Sequence, residues 1–94
     1  MELDIIYKYC APEEHPLDAS TIKTATMDIE DNEIRTNLHN LHPVGEVISL
    51  RADDADEYGE PPKEYRVVQR APLLAPSRDY GYSMAELTVI VTDA

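Results

Sequence analysis

The closing stretch AELTVIVTD, Ala85 to Asp93, alternates without a break. Leu87, Val89 and Val91 project to one side, and Thr88, Ile90 and Thr92 to the other. Side chains repeating every two residues are the signature of a strand with one face buried, and β-branched residues fit that pleated surface well. This stretch therefore sets the fold class, and the rest of the chain can be read against it.

The same period recurs at the start. LDIIYKYC, residues 3 to 10, places Leu3, Ile5, Tyr7 and Tyr9 on one face and Asp4, Ile6, Lys8 and Cys10 on the other. Ala11-Pro12 breaks the pattern, and the Pro-containing stretch to Ser20 reads as an ordered connection. In the second half GEVISLRA (45 to 52) and KEYRVVQRA (63 to 71) flank the acidic run DDADEYGEPP, an arrangement that predicts a long-looped hairpin of the kind small barrels use. In its return strand Tyr65, Val67 and Gln69 would share one face and Arg66, Val68 and Arg70 the other. Ala71-Pro72 and Ala75-Pro76 then suggest an edge, a bulge or a crossover, because proline gives the ladder no N–H. Residues 77 to 83 read as a loop.

The stretch TATMDIEDNEIRTNL, residues 24 to 38, admits two readings. A two-residue turn at Asp31-Asn32 would set Ile29 opposite Ile34, Met27 opposite Thr36, Ala25 opposite Leu38, and Asp28 opposite Arg35. Alternatively Ile34, Leu38 and Leu41 are spaced i, i+4, i+7 as on a helix, with Pro43 ending it. The threonines and the alternation favour the hairpin, most clearly for its first limb. The predicted architecture is a single mainly β domain over residues 1 to 94. It would be a small five- or six-stranded antiparallel barrel or a compact two-layer sandwich with little helix, the barrel being preferred because it leaves fewer open edges.

Charge bounds the function. Nineteen acidic residues against eight Lys and Arg give the 94-residue chain a formal charge of -11. Such a chain is repelled by nucleic acid and anionic membranes and attracted to a cationic surface. The acids fall in two groups, Asp28, Glu30, Asp31 and Glu33 in one, and Asp53, Asp54, Asp56, Glu57 and Glu60 in the other. These nine are the candidate partner-binding residues. Arg51, Arg66, Arg70 and Arg78 gather in the second half, but with Lys63 they make five bases against nine acids from residue 51 onward, so pairing with neighbouring acids is the expected use for them.

Other chemistries find little support. Cys10, His15, His39 and His42 total four zinc-ligand types, but C-x4-H and H-x2-H lie off the usual spacings, and no metal or other cofactor is expected. Asp54, Asp56 and Gly59 match positions 1, 3 and 6 of a helix-loop-helix calcium loop, whereas Tyr58 and Tyr65 stand where oxygen donors belong. Cys10 with His15 is the only nucleophile and base pair close in sequence, and Pro12 intervenes; with three glycines there is no phosphate-cradling loop. One cysteine excludes an internal disulfide, no stretch reads as a signal peptide or membrane span, and cytoplasmic residence is the default.

The sequence thus points to a non-enzymatic acidic protein-binding module that engages a basic surface on a partner protein. In its sharpest form it would be an inhibitor or DNA mimic of phage or mobile-element type. Two alternatives stand beside it: a structural or assembly subunit, such as a homodimer, pairing through the C-terminal strand, and a small-molecule-binding barrel lined by Tyr7, Tyr9 and Tyr65.

Overall fold

The computed structural model describes residues 1–53, 61–79 and 81–94. Five strands form one sheet curled into a half-barrel: β1 (Glu2–Tyr9), β2 (Ser20–Asp28), β3 (Val47–Leu50), β4 (Lys63–Pro76) and β5 (Tyr82–Asp93), in the order β2-β1-β5-β4-β3. One helix, α1 (Ile34–Asn40), follows a 3-10 turn at Asp31–Glu33. The mainly β expectation holds, with five strands. The sheet is mixed, however, because β1 and β5 run parallel (Ile5 beside Leu87, Tyr7 beside Val89) while the other three pairs are antiparallel.

The stretch AELTVIVTD is the middle of this sheet. Leu87, Val89 and Val91 are fully buried, flanked on one edge by β1 and on the other by β4. Full burial of each is worth about 1.5–3 kcal/mol relative to exposure. From Glu86 to Val91 this strand has β1 on one edge and β4 on the other, so that stretch offers no open edge to a second copy.

The second limb of the expected 24–38 hairpin is helical. β2 pairs with β1 instead, Ile5 opposite Ala25 and Leu3 opposite Met27, and the chain then turns into α1. The i, i+4 spacing prevails because Ile34 and Leu38 drop into the sheet's core, at 0% and 5% exposure. The pairing of Ile29 with Ile34 across a turn, and the Asp28–Arg35 ion pair, do not form; Arg35 instead donates from Nε to the Tyr82 hydroxyl at 2.7 Å. With α1 in place, one core contains Leu3, Ile5, Tyr7, Ile34, Leu38, Tyr65, Val67, Leu87, Val89 and Val91. Tyr7 and Tyr65 are thus packing residues, and Tyr9 is partly buried against them. The three tyrosines expected to line a ligand cavity therefore pack in or against this core.

The expected β3–β4 hairpin is present, Ile48 opposite Tyr65 and Val47 opposite Arg66. β4 then continues through both prolines to Pro76. This is possible because β3 pairs only with residues 63 to 66, leaving the outer side of the later stretch without a strand that would need proline's missing N–H. A bulge between Val67 and Gln69 resets the alternation. Val67 lies beside Val91 and Arg70 beside Val89, so Arg70 faces inward and no longer shares a face with Arg66.

The ends of the sheet approach each other beyond β3. Asp53 N–H donates to the Ile22 carbonyl at 2.9 Å, and the Asp53 carboxylate accepts from Thr24 N–H at 3.0 Å. Lys23 Nζ donates to the Arg51 carbonyl at 3.1 Å and lies 3.7 Å from Asp53. Among the described residues the half-barrel is laced by these contacts, with no sixth strand closing it.

Candidate functional site

The basic side chains decide what the acids face. Arg70 lies against the C-terminus of α1, where Nε donates to the Leu41 carbonyl at 3.1 Å, Nη2 to the same oxygen at 2.8 Å, and Nη2 also to the Leu38 carbonyl. Helix ends leave unsatisfied carbonyls and carry partial negative charge, so a guanidinium there satisfies both needs. Arg66 donates to the Gly45 carbonyl at 3.1 Å, Lys63 pairs with Asp93 at 2.8 Å, and Lys23 pairs with Asp53. Among the described residues Arg66 and Arg70 are therefore engaged by backbone carbonyls and not by the acidic side chains the sequence suggested. Five of the eight bases, Lys23, Arg35, Lys63, Arg66 and Arg70, hold the scaffold together.

What remains is an anionic region at the start of β1. Glu2 lies opposite Asp28 across the β1–β2 ladder, and Asp4 lies beside Glu86 across the parallel β1–β5 ladder. Because Leu3 and Ile5 point into the core, Glu2 and Asp4 point out. Asp28 ends β2, Glu30, Asp31 and Glu33 follow on the turn into α1, and all four are exposed. A cleft of about 510 Å³ joins the two sets, its walls including Glu2, Asp4, Asp31, Tyr82 and Met84. Among the described residues no Lys or Arg side chain reaches these acids; the Met1 amino group lies 3.7 Å from Asp28 and 3.8 Å from Asp31.

Of the first predicted acid group, Asp28 lies opposite Glu2 and Asp31 lines the cleft with Glu2 and Asp4, while Glu2, Asp4 and Glu86 were passed over by reading acids as runs along the chain. Strand alternation could have placed Glu2 and Asp4 there; Glu86 required the parallel register. Of the second group, Asp53 is drawn into the lacing of β2, and Asp54, Asp56, Glu57 and Glu60 lie outside the described residues. The calcium-loop comparison falls on the same stretch, apart from Tyr65, which is a core residue.

The four zinc-type residues do not converge. Cys10 is buried and its thiol donates to the Ala11 and Glu14 carbonyls at 3.4 and 3.3 Å. Burial, then the charges of Glu14 and Asp18, push that thiol upward, away from thiolate chemistry. His15 Nδ1 accepts from Leu17 N–H at 3.2 Å and caps a short turn. Exposed His39 lies on α1. Among the described residues no group of three or more His, Cys, Asp or Glu is arranged to hold a metal ion.

His42 has a partner that its sequence neighbours do not reveal. Tyr7 Oη lies 2.8 Å from His42 Nε2, and His42 Nδ1 lies 3.1 Å from Glu46. The carboxylate favours a proton on Nδ1, which makes Nε2 the acceptor for the buried phenol. Tyr7 is raised above 10.0 by its burial and then by the Glu46 charge, so its proton is held and the phenolate is disfavoured. His42 occupies the left-handed region at φ 53, strain that its bond to Tyr7 helps to sustain. This chain fixes the connection after α1 to β1. A second polar cluster sits at the far end of the sheet, where Lys63 lies 5.7 Å from the Tyr9 ring centroid and 5.5 Å from that of Tyr65, and Tyr9 donates to Asp93 at 2.7 Å. The bonds from Lys63 and Tyr9 hold Asp93 below the ordinary carboxylate value.

No protein-family model, curated protein or solved structure matches this chain. Among the described residues no helix is long and apolar enough to cross a membrane.

Proposed function

We propose that this chain is a non-enzymatic protein-interaction module of the cytoplasm whose anionic face, Glu2, Asp4, Asp28, Glu30, Asp31, Glu33 and Glu86, engages a basic surface on a partner protein. The observation that carries the reading is the register: Glu2 opposite Asp28 and Asp4 beside Glu86. Like charges at adjoining ladder positions oppose folding. Within the described residues the Met1 amino group near Asp28 and Asp31 and the Thr26 hydroxyl on Asp4 offset only part of that repulsion, and a cationic partner would relieve the rest. Exposed Met84, 46% accessible, and Tyr82 give the cleft an apolar wall against which the stem of an arriving Lys or Arg can lie. An inhibitor that occupies the nucleic-acid site of a basic protein is the specific form this reading favours.

Affinity capture from the native host tests it, using the intact chain and a Glu2→Lys, Asp28→Lys, Asp31→Lys variant as baits. A basic protein held by the first and lost by the second supports the proposal. Identical catches would overturn it.

A further inference from the structure

A second site, of opposite sign, is lined by basic side chains, and its Arg35 shares the Tyr82 contact with the anionic cleft. Between α1 and the later part of β4 there is an open pocket of about 280 Å³ lined by Arg35, Leu38, His39, Arg70, Pro72 and Leu74. Its composition follows from two periodicities. Arg35, Leu38 and His39 share a helix face at i, i+3 and i+4, and Arg70, Pro72 and Leu74 share a strand face at i, i+2 and i+4, the bulge after Val67 having turned Arg70 inward. β3 does not extend over this part of β4, so the pocket stays open.

Both guanidinium groups are held in place from behind. Arg35 is fixed through Nε by the Tyr82 hydroxyl and lies 5.8 Å from the centroid of that ring. Arg70 is fixed through Nε and Nη2 by the α1 carbonyls. Among the described residues this leaves both terminal nitrogens of Arg35 and Nη1 of Arg70 without a partner. Oriented donors with unused N–H groups beside an apolar wall are what a small anionic ligand needs, because little side-chain freedom is lost on binding.

We propose that this pocket binds a small organic carboxylate, its head taken by Arg35 and Arg70 and its apolar body lying on Leu38, Pro72 and Leu74. The planar fork of a guanidinium matches a carboxylate's two oxygens. A monoanion suits the site better than a phosphate dianion, since each added negative charge meets the repulsion of a chain at -11. The apolar wall separates the ligand from simple inorganic anions. This inference stands on α1 and β4 and does not depend on the anionic face.

The test is a titration of the full chain, followed by backbone amide shifts, with sodium hexanoate, 1-hexanol and inorganic phosphate as probes. Hexanoate should give saturating shifts at residues 35–39 and 70–74, with the other two binding about tenfold or more weakly, the effect of losing one charged hydrogen bond or the apolar contact. Arg35→Gln, an exposed change that leaves the Arg70 contacts to α1 intact, should weaken hexanoate by a similar factor while the amide spectrum stays dispersed. Absence of saturation, equal binding of hexanol or phosphate, or undiminished binding to the Arg35→Gln variant would each overturn the proposal.

Discussion

Asp53 accepts from Thr24 twice, from the backbone N–H at 3.0 Å and from the hydroxyl at 3.4 Å, and so joins the segment after β3 to the outer edge of β2. One residue of an acidic run is thereby a structural clamp across the mouth of the half-barrel. Asp53→Ala should destabilise the fold by about 1 kcal/mol, the usual worth of such bonds at a partly exposed site. Urea denaturation measures this. The same variant should keep its basic partner, because Asp53 faces β2 and not the anionic face at β1.

Arg70 is expected to matter more. Its guanidinium satisfies carbonyls of both Leu38 and Leu41, and Arg70→Met keeps much of the stem but leaves those oxygens without their donor. A loss of about 2–3 kcal/mol is predicted for hydrogen bonds from a charged group. Hydrogen exchange should show the effect concentrated in α1, where amide protection of residues 38 to 41 falls first.

The Tyr7–His42–Glu46 chain predicts a pH signature. Tyr7 is raised above 10.0 in the folded protein, so the native state holds this proton more tightly than the unfolded chain does. Its contribution is therefore complete below pH 10 and is lost as pH rises through the folded value. Tyr7→Phe should cost about 1 kcal/mol at neutral pH through the missing bond to His42. Above pH 10 its stability should decline less steeply than that of the parent, as followed by denaturation midpoints across an alkaline series.

Repulsion on the anionic face should appear in stability as well. Glu2→Thr or Asp4→Thr removes one member of a like-charged pair from a strand surface that suits threonine. Each change should stabilise by about 0.2–1 kcal/mol, the range for cross-strand pairs. Added salt should raise the melting temperature of the parent more than that of either variant, because screening over about 8 Å at physiological ionic strength relieves the same repulsion.

Much of the fold was legible in residues 3–10, 45–52, 63–71 and 85–93, because burial on one face imposes a period of two that composition alone cannot hide. Three features were not. The parallel pairing of β1 with β5 is a long-range choice that neither strand's pattern encodes. The bulge after Val67 shifts the alternation by one residue and so reverses the face of Arg70. In residues 33–38 hairpin and helix patterns coincide, and the contact of Ile34 and Leu38 with the sheet decides between them. The candidate face was half legible. Asp28 to Glu33 announced themselves as a run, while Glu86 joins them only through the register. The partners of His42 are remote for the same reason, Tyr7 standing 35 residues away.

The most direct test of the central claim is the affinity of the captured basic partner for the intact chain and for its Glu2→Lys, Asp28→Lys, Asp31→Lys variant, measured by calorimetry at several salt concentrations. The affinity should fall steeply with salt for the parent and be largely abolished in the variant, with the variant's fold intact by circular dichroism. Salt-independent binding, or equal affinity for both proteins, would contradict that claim.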